Sequence, residues 1–355
     1  MSKVIVGMSG GVDSAIAALL LKRAGHDVIG VTLRTWESED AAENRCCEID
    51  DARAVCRTIG IPYYPWNACG TFREMVIDPF VKDYLEGRTP NPCVECNRHV
   101  KWGRMLRIAD ELSADYIATG HYADVIQTPG GRFTVRQSAA GKKDQTYMLW
   151  KLTQEQLSRT LMPLASLTKE EVRRIAEEAG LPVAKKHDSQ EICFVPDGHY
   201  SEFIENEAAT ACPKEGNFVD EDGKILGRHK GITHYTVGQR RGLGIAAGYH
   251  IFVKEIRPET DEIVLSREDA LFSNEIFCRD LNFLSVEDIK GDEKISARVR
   301  IRYHHQGEEA ELTRADDETL RVLFRNPVRA ATPGQSAVFY DADGCVIGGG
   351  KIAKR

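Results

Sequence analysis

Apolar residues in the first half of the chain fall in short blocks, each closed by glycine, proline or a charged run. Val4 to Met8 reads VIVGM, too short for a helix and suited to a strand buried on both faces. Residues 15–21 are Ala/Leu-rich and predict a helix. The alternation continues with a strand over 27–33, a polar surface loop over 36–44, a helix over 49–59 stopped by Gly60 and Pro62, and a strand over 63–66. Helical period resumes over 72–85 despite Pro79. It breaks in a loop over 87–97 and returns over 100–112, before a strand over 115–119 that ends at Gly120-His121. A hairpin is expected over 125–136, around Pro129-Gly130-Gly131. A helix over 168–179 has Thr168 as its cap, Glu171 three residues on, and Gly180-Leu181-Pro182 as its stop.

Strand–helix alternation over roughly the first 195 residues predicts a parallel α/β sheet. Past Pro196 the pattern changes. Residues 216–253 are rich in glycine, short strands and basic side chains. From Phe277 short alternating strands, with turns at Asp316-Asp317, Asn326-Pro327 and Asp343-Gly344, predict a small β-barrel or sandwich. The expected organisation is an α/β, Rossmann-like parallel-sheet domain over 1–197, a small central domain over 198–273 and a C-terminal β-barrel domain over 274–355. A length of 355 residues fits two or three domains.

Charge narrows the partners. A net charge of −7 argues against coating nucleic acid by bulk attraction, but leaves room for a local basic groove. No apolar run approaches ~18 residues, and Met1-Ser2-Lys3 opens no secretory signal. A cytoplasmic protein without a membrane partner is expected. In that reducing compartment the ten cysteines read as thiols, metal ligands or catalytic groups rather than a disulfide framework.

The first chemical motif is Ser9-Gly10-Gly11-Val12-Asp13-Ser14, between the first strand and the first helix. Strand, glycine turn and helix aim backbone N–H groups and a positive helix end at an anion. Paired glycines let phosphate oxygens approach closely, and Ser14 is placed to cap the helix. No Gly-Lys-Ser/Thr follows, so this is not a Walker A loop, and the G-x-G-x-x-G fingerprint is absent. Ligands of open α/β sheets gather at strand carboxyl ends, so residues 9–14, Leu33 and Gly120-His121 are expected to share one crevice. The motif resembles the PP-loop of the ATP-pyrophosphatase superfamily, whose members cleave ATP between the α- and β-phosphates and transfer AMP to a carbonyl oxygen.

The second motif is Thr89-Pro90-Asn91-Pro92-Cys93-Val94-Glu95-Cys96-Asn97, where two prolines present a C-x-x-C pair rigidly. Such a pair serves as a redox dithiol, a zinc half-site or an iron–sulfur ligand. The third is Ser189-Gln190-Glu191-Ile192-Cys193-Phe194, whose thiol, between Ile192 and Phe194, also suits a buried core position. Together, in this order, the three motifs resemble the tRNA-specific 2-thiouridylases (MnmA/TrmU family). The likeness continues through Gly120-His121, Lys143-Asp144-Gln145, residues 231–245 and Arg302-Tyr303, and so covers essentially the full chain.

The resemblance implies an N-terminal HUP-type PP-loop domain and an ATP-dependent exchange of the C2 oxygen of a wobble uridine for sulfur. Adenylation makes that oxygen a good leaving group, and a cysteine-borne sulfur replaces it. It implies that Gly7, Met8, Ser9, Gly10, Gly11, Val12, Asp13 and Ser14 bind the ATP phosphates, with Leu33 and Gly120 at the adenosine and Asp13 orienting Mg²⁺. Cys96 aligns with the family's catalytic cysteine and Cys193 with its persulfide carrier, the two forming a transient disulfide. Asn91, Pro92 and Cys93 would line an extruded base. His121 would lie near the tRNA, and Lys143, Asp144, Gln145, Arg302, Tyr303 and Gln335 would contact it. His121 also suits a hydrogen-bonded structural role. The implied partners are tRNAs accepting lysine, glutamate and glutamine, with a cysteine desulfurase, a sulfur-relay protein or free sulfide as the sulfur source.

The chain departs from many members at Cys93, where they carry aspartate. Cys93, Cys96 and Cys193 offer three thiolates, enough to hold an iron–sulfur cluster whose open iron takes an exogenous sulfide. Persulfide relay and cluster both remain open at this point. Cys46, Cys47, Cys56, Cys69, Cys212, Cys278 and Cys345 have no partner motif and are read mainly as structural, with Cys46-Cys47 set apart by its polar loop. Lys142-Lys143, Lys185-Lys186-His187, Arg228-His229-Lys230 and Arg240-Arg241 are candidate phosphate contacts, near Tyr235 and Tyr249. The β-rich C-terminal part is expected to grip the anticodon arm by shape and phosphates. The competing readings are another PP-loop synthetase, which needs neither cysteine motif, and a non-catalytic tRNA-binding or iron–sulfur carrier protein, which needs no ATP loop.

Overall fold

The computed structural model describes residues 1–36, 49–186, 192–195, 199–208 and 212–354. The Cys46-Cys47 pair, most of the 36–44 loop, His187, the Ser189-Gln190-Glu191 part of the third motif and Pro196 lie outside the described residues.

The N-terminal elements are β1 (Lys3–Gly7), α1 (Val12–Arg23), β2 (Asp27–Arg34), α2 (Ile49–Ile59), β3 (Tyr63–Asn67), the helical stretches α3 (69–85) and α4 (92–111), β4 (Tyr116–Ala118), the hairpin β5 (Asp124–Gln127) and β6 (Phe133–Arg136), α5 (Gln154–Ser158), β7 (Thr160–Leu161), α6 (Lys169–Glu178) and α7 (Tyr200–Ala208). Five strands form a parallel sheet in the order β3-β2-β1-β4-β7. Val4, Ile5 and Val6 of β1 are fully buried, which is why the first block carries no polar alternation. The order reverses between β1 and β4, and such a switch point opens a crevice at the strand carboxyl ends.

The expected loop over 87–97 is only partly a loop. From Pro92 the chain is helical, through a wide π turn at Cys96–Trp102, to Glu111. Pro92 at the first helical position loses no hydrogen bond and its fixed φ suits a helix start, so a residue read as a breaker is a starter. Cys93 and Cys96 therefore stand three apart on a helix, as neighbours on its surface. The helix over 168–179 has its full capping box: Thr168 Oγ1 accepts from the Glu171 N–H and the Glu171 side chain accepts from the Thr168 N–H.

The central part adds β8 (Gly216–Val219), β9 (Ile225–His229), β10 (Phe252–Arg257) and β11 (Glu262–Ser266) in a sheet ordered β10-β11-β8-β9, over a core of Phe218, Tyr235, Ile256, Ile263 and Leu265. The C-terminal strands β12 (Phe272–Phe283), β13 (Ile295–Arg300), β14 (Glu308–Arg314), β15 (Leu320–Arg329), β16 (Ser336–Tyr340) and β17 (Val346–Ile352) form a closed barrel in the order β12-β15-β14-β13-β16-β17. Closure leaves no strand edge unpaired, so the fold is a barrel and not a sandwich. Asn326-Pro327 is not a turn: it lies within β15, where pairing with β12 slips between Ser273 and Glu275. Bulges are where strands tolerate proline.

The barrel docks directly on the N-terminal domain. Trp150 is fully buried, its Nε1 donating to Ser336 Oγ at 3.0 Å, and the Tyr147 hydroxyl donates to the Ser336 carbonyl at 2.8 Å. Gly349 of β17 faces the Trp150 ring so closely that a Cβ would sit 2.7 Å from it. Glycine is what lets the strand approach the indole.

Candidate active site

The Ser9–Ser14 loop leaves β1 and turns at Gly10, whose φ of 72° is left-handed. Gly11, not Ser14, is the residue that caps α1, and it has no side chain to do so. Ser14 sits inside the first turn, where its hydroxyl donates to the Gly11 carbonyl at 3.0 Å and accepts from the Ser9 N–H at 3.2 Å. The serines thus brace the turn from within, and the first N–H groups of α1 remain directed into its concavity. Met8 extends the strand pairing to Val31. Leu33 lies at the carboxyl end of β2, on the same side of the sheet's switch point.

Gly120 closes this concavity. A Cβ there would lie 2.6 Å from the Asp13 carbonyl carbon and 2.6 Å from the Ser14 nitrogen. The chain after β4 therefore packs backbone against backbone on the loop, as the shared-crevice expectation requires. Asp13 is held from two sides: Lys169 Nζ lies 2.8 and 2.9 Å from its two carboxylate oxygens, and the Tyr122 hydroxyl donates to Oδ1 at 2.7 Å. Lys186 Nζ donates to the Gly10 carbonyl at 3.2 Å and pairs with Asp51 at 2.7 Å. Reading the sequence did not single out Lys169 or Tyr122. The signal available was the short spacing of Tyr122 from Gly120 and of Lys169 from the cap Thr168.

The cysteine helix meets the same crevice. The π turn that begins at Cys96 ends at Trp102, whose ring packs on His121 at 5.4 Å between centroids. His121 Nδ1 bonds Thr119 Oγ1 at 2.8 Å. Burial, and secondly the charge of Lys101, hold its imidazole well below the ordinary range, so it is neutral at pH 7. Cys96 is 7% exposed, whereas Cys93 and Cys193 are exposed. The core alternative for Cys193 is thus set aside: its neighbour Phe194 takes the buried place, packing edge-on against Phe72, Phe80 and Phe203. Cys96, Leu33 and Phe194 share one apolar cluster. Among the described residues no three His, Cys, Asp or Glu side chains are grouped to hold a metal ion, so the iron–sulfur expectation for Cys93, Cys96 and Cys193 gains no support from the geometry. Cys56, Cys278 and Cys345 are buried, and burial raises their thiols, to about 12 for Cys56 and about 11 for Cys345. Thiols so shifted are poor nucleophiles at pH 7. Cys69 and Cys212 are half-buried.

The barrel holds the start of the cysteine helix. Gln335 Nε2 donates to the carbonyls of Thr89 (2.9 Å) and Pro90 (3.2 Å), and the Thr89 N–H donates to Pro333. Glu95, between the two cysteines, accepts from Lys151 (2.8 Å) and pairs with Lys351 of β17 (2.9 Å). Both lysines also meet Asp280 of β12, at 2.6 and 3.3 Å. Burial alone would raise the Glu95 carboxyl, but His99, Lys151 and Lys351 outweigh it and hold it well below the ordinary carboxylate range. Because the folded value is depressed, the unfolded chain binds the extra proton. The stability this group contributes is therefore complete above about pH 4.5 and lost as pH falls below that. Glu95→Gln is expected to lower unfolding free energy by about 2 kcal/mol at pH 7. The gap to the parent should narrow on acidification toward pH 3, read by denaturant unfolding at each pH.

The other sequence-predicted contacts divide. Asn91 Nδ2 lies 3.5 Å from Met148 Sδ, and Pro92 is buried beside the exposed Cys93. Lys143 is half-buried and Arg302 exposed. Asp144 turns inward: its carboxylate accepts from Thr146 Oγ1 at 2.7 Å and meets Arg300 at 3.4 Å, while its carbonyl accepts from the Tyr303 hydroxyl. The Gln145 side-chain oxygen accepts from the Tyr122 N–H at 2.9 Å. Asp144, Gln145 and Tyr303 thus tie the barrel and the chain after β4 to each other.

Three family models match in series: "tRNA methyl transferase HUP domain" over residues 2–197, "tRNA methyl transferase PRC-barrel domain" over 201–267 and "Aminomethyltransferase beta-barrel domain" over 273–352. Among curated relatives, the tRNA-specific 2-thiouridylase MnmA of Lachnoclostridium phytofermentans is 52% identical over 361 residues, spanning 100% of both chains. Proteins of the same name from Clostridium perfringens and Clostridioides difficile are each 46% identical, over 99% of this chain and 98% of theirs.

Proposed function

The chain belongs to the tRNA-specific 2-thiouridylase family, and from that premise we propose that the crevice between β1 and β4 adenylates the C2 oxygen of a tRNA wobble uridine, which sulfur carried by Cys193 then replaces with the help of Cys96. The reaction class is ATP-dependent tRNA thiolation. The observation that carries the site assignment is a continuous contact path: the phosphate loop packs on Gly120, His121 follows it, Trp102 packs on His121, and Trp102 closes the turn that Cys96 opens.

ATP sits with its phosphates over the Ser9–Ser14 loop and the N-terminus of α1, its charge met by N–H groups and Mg²⁺. The uridine oxygen attacks the α-phosphorus, and pyrophosphate leaves. The terminal sulfur of a Cys193 persulfide attacks C2, the C–O bond breaks, and AMP departs with the oxygen. Cys96 thiolate attacks the Cys193 sulfur, breaking the S–S bond to the transferred atom and leaving a Cys96–Cys193 disulfide. An external thiol reductant then resets the pair. The exposure of Cys193 and the burial of Cys96 support this division: a macromolecular donor reaches the first and not the second. No described helix is long and apolar enough to cross a membrane.

The test is incubation with ATP, Mg²⁺, unmodified tRNA and a persulfide-bearing donor protein, followed by assay for AMP, pyrophosphate and 2-thiouridine. ATP turnover without thiolated uridine would overturn the reading. Iron and sulfide assay after anaerobic purification, with Cys93→Ala alongside, separates the carriers. Stoichiometric iron lost in that variant, together with lost thiolation, would replace the persulfide route by a cluster.

A further inference from the structure

The phosphate loop poses a charge problem. Residues 7–14 contain no lysine or arginine, and their one charged side chain, Asp13, is negative. A carboxylate beside a triphosphate repels it. Lys169 sits where that repulsion is cancelled. It is the first residue of α6, placed by the Thr168 capping box, and its ammonium reaches both oxygens of Asp13 at 2.8 and 2.9 Å with 9% of the side chain exposed. The Tyr122 hydroxyl fixes the same carboxylate at 2.7 Å, and the Lys169 ammonium lies 5.9 Å from the Tyr122 ring centroid. A charged lysine this buried is desolvated, so its interaction with neighbouring charge is screened less than at a surface.

We propose that Lys169 is a positioning residue for nucleotide binding: through Asp13 it sets the charge and orientation of the phosphate loop, supplying from α6 a cation at the carboxylate, while Lys186 meets the loop at the Gly10 carbonyl. This rests on the reading of residues 9–14 as the ATP site. The role is electrostatic, so its weight grows with the charge of the nucleotide. ATP needs the compensation most and AMP, with one phosphate, least.

The experiment compares equilibrium binding of ATP and AMP, with Mg²⁺, to the full-length protein and to Lys169→Met, Lys169→Arg, Asp13→Asn and the Asp13→Asn/Lys169→Met pair. In Lys169→Met, ATP affinity should fall roughly 10- to 100-fold while AMP affinity stays within about twofold of the parent. Lys169→Arg should retain ATP binding. With Mg²⁺ removed by EDTA, where Asp13 has no metal to orient, the double variant should bind ATP more tightly than Lys169→Met, because the uncompensated carboxylate is gone. Equal loss of ATP and AMP binding would mark Lys169 as structural, and unchanged ATP binding would leave it no role; either overturns the proposal. Failure of the parent protein to bind either nucleotide would instead overturn the reading of the loop on which it rests.

Discussion

Cys193→Ser is expected to reduce 2-thiouridine formation by roughly 10³-fold or more with a protein persulfide donor. The tRNA-dependent release of pyrophosphate should persist, with AMP left on the adenylated base. The reason is division of labour: nothing in the phosphate loop depends on the thiol, whereas the proposed route brings sulfur in at Cys193, which is exposed. Cys96→Ser should lose thiolation to a similar extent by another route. Without tRNA its Cys193 remains reachable by the donor and should accumulate as a persulfide, seen by mass spectrometry as the gain of one sulfur atom. With ATP and tRNA it should stall as a disulfide-bridged adduct to the base. Accumulation in Cys96→Ser together with none in Cys193→Ser is the expected pattern. A persulfide found on Cys96 in the Cys193→Ser protein would reverse the assigned roles.

The second large effect belongs to a residue with no side chain. Gly120→Ala places a methyl 2.6 Å from two backbone atoms of the phosphate loop and 2.9 Å from the Asp13 oxygen. No rotamer change relieves that contact, so the loop or the end of β4 must shift. Overpacking of this kind costs about 1–3 kcal/mol of stability. The larger consequence is positional: a displacement of about 1 Å at a reacting centre lowers rate by about 10²-fold. Pyrophosphate release per enzyme should fall by that order, with melting shifted only a few degrees. Gly130→Ala is the control, because a Cβ there meets nothing closer than 3.8 Å. Full activity in Gly120→Ala would sink the claim that this contact sets the loop.

Much of the candidate site was legible because its motifs are contiguous in sequence. Ser9–Ser14, the C-x-x-C pair and Cys193 each announce themselves by residue type and spacing. Strand ends at Gly7, Arg34 and Ala118 follow from short apolar blocks, so their convergence could be expected from topology alone. What sequence reading missed are relations between distant segments. Lys169 and Asp13 are 156 positions apart, and neither position carries a local pattern that names the other. The same holds for Glu95 with Lys351 and Asp280, where the barrel grips the cysteine helix. Pro92 misled for a different reason: proline is a breaker inside a helix and a starter at its first position, and only the structure tells which. Asp144 and Gln145, expected on a tRNA surface, turn their side chains inward, because Arg300, Thr146 and the Tyr122 backbone satisfy them there.

Lys186 is fastened to the phosphate loop through the Gly10 carbonyl, and Phe194 is fastened in an aromatic cluster that includes Phe80. Cys193 follows the first anchor by seven positions and adjoins the second. Seven residues reach at most roughly 25 Å even fully extended. On the proposed route, sulfur carried by this cysteine is therefore held within that distance of the Ser9–Ser14 loop. Tethering of that length holds a reactant at an effective concentration on the order of millimolar, whatever the level of sulfide outside. The proposed transfer thereby turns a second-order step, sulfur finding an activated base, into a first-order one.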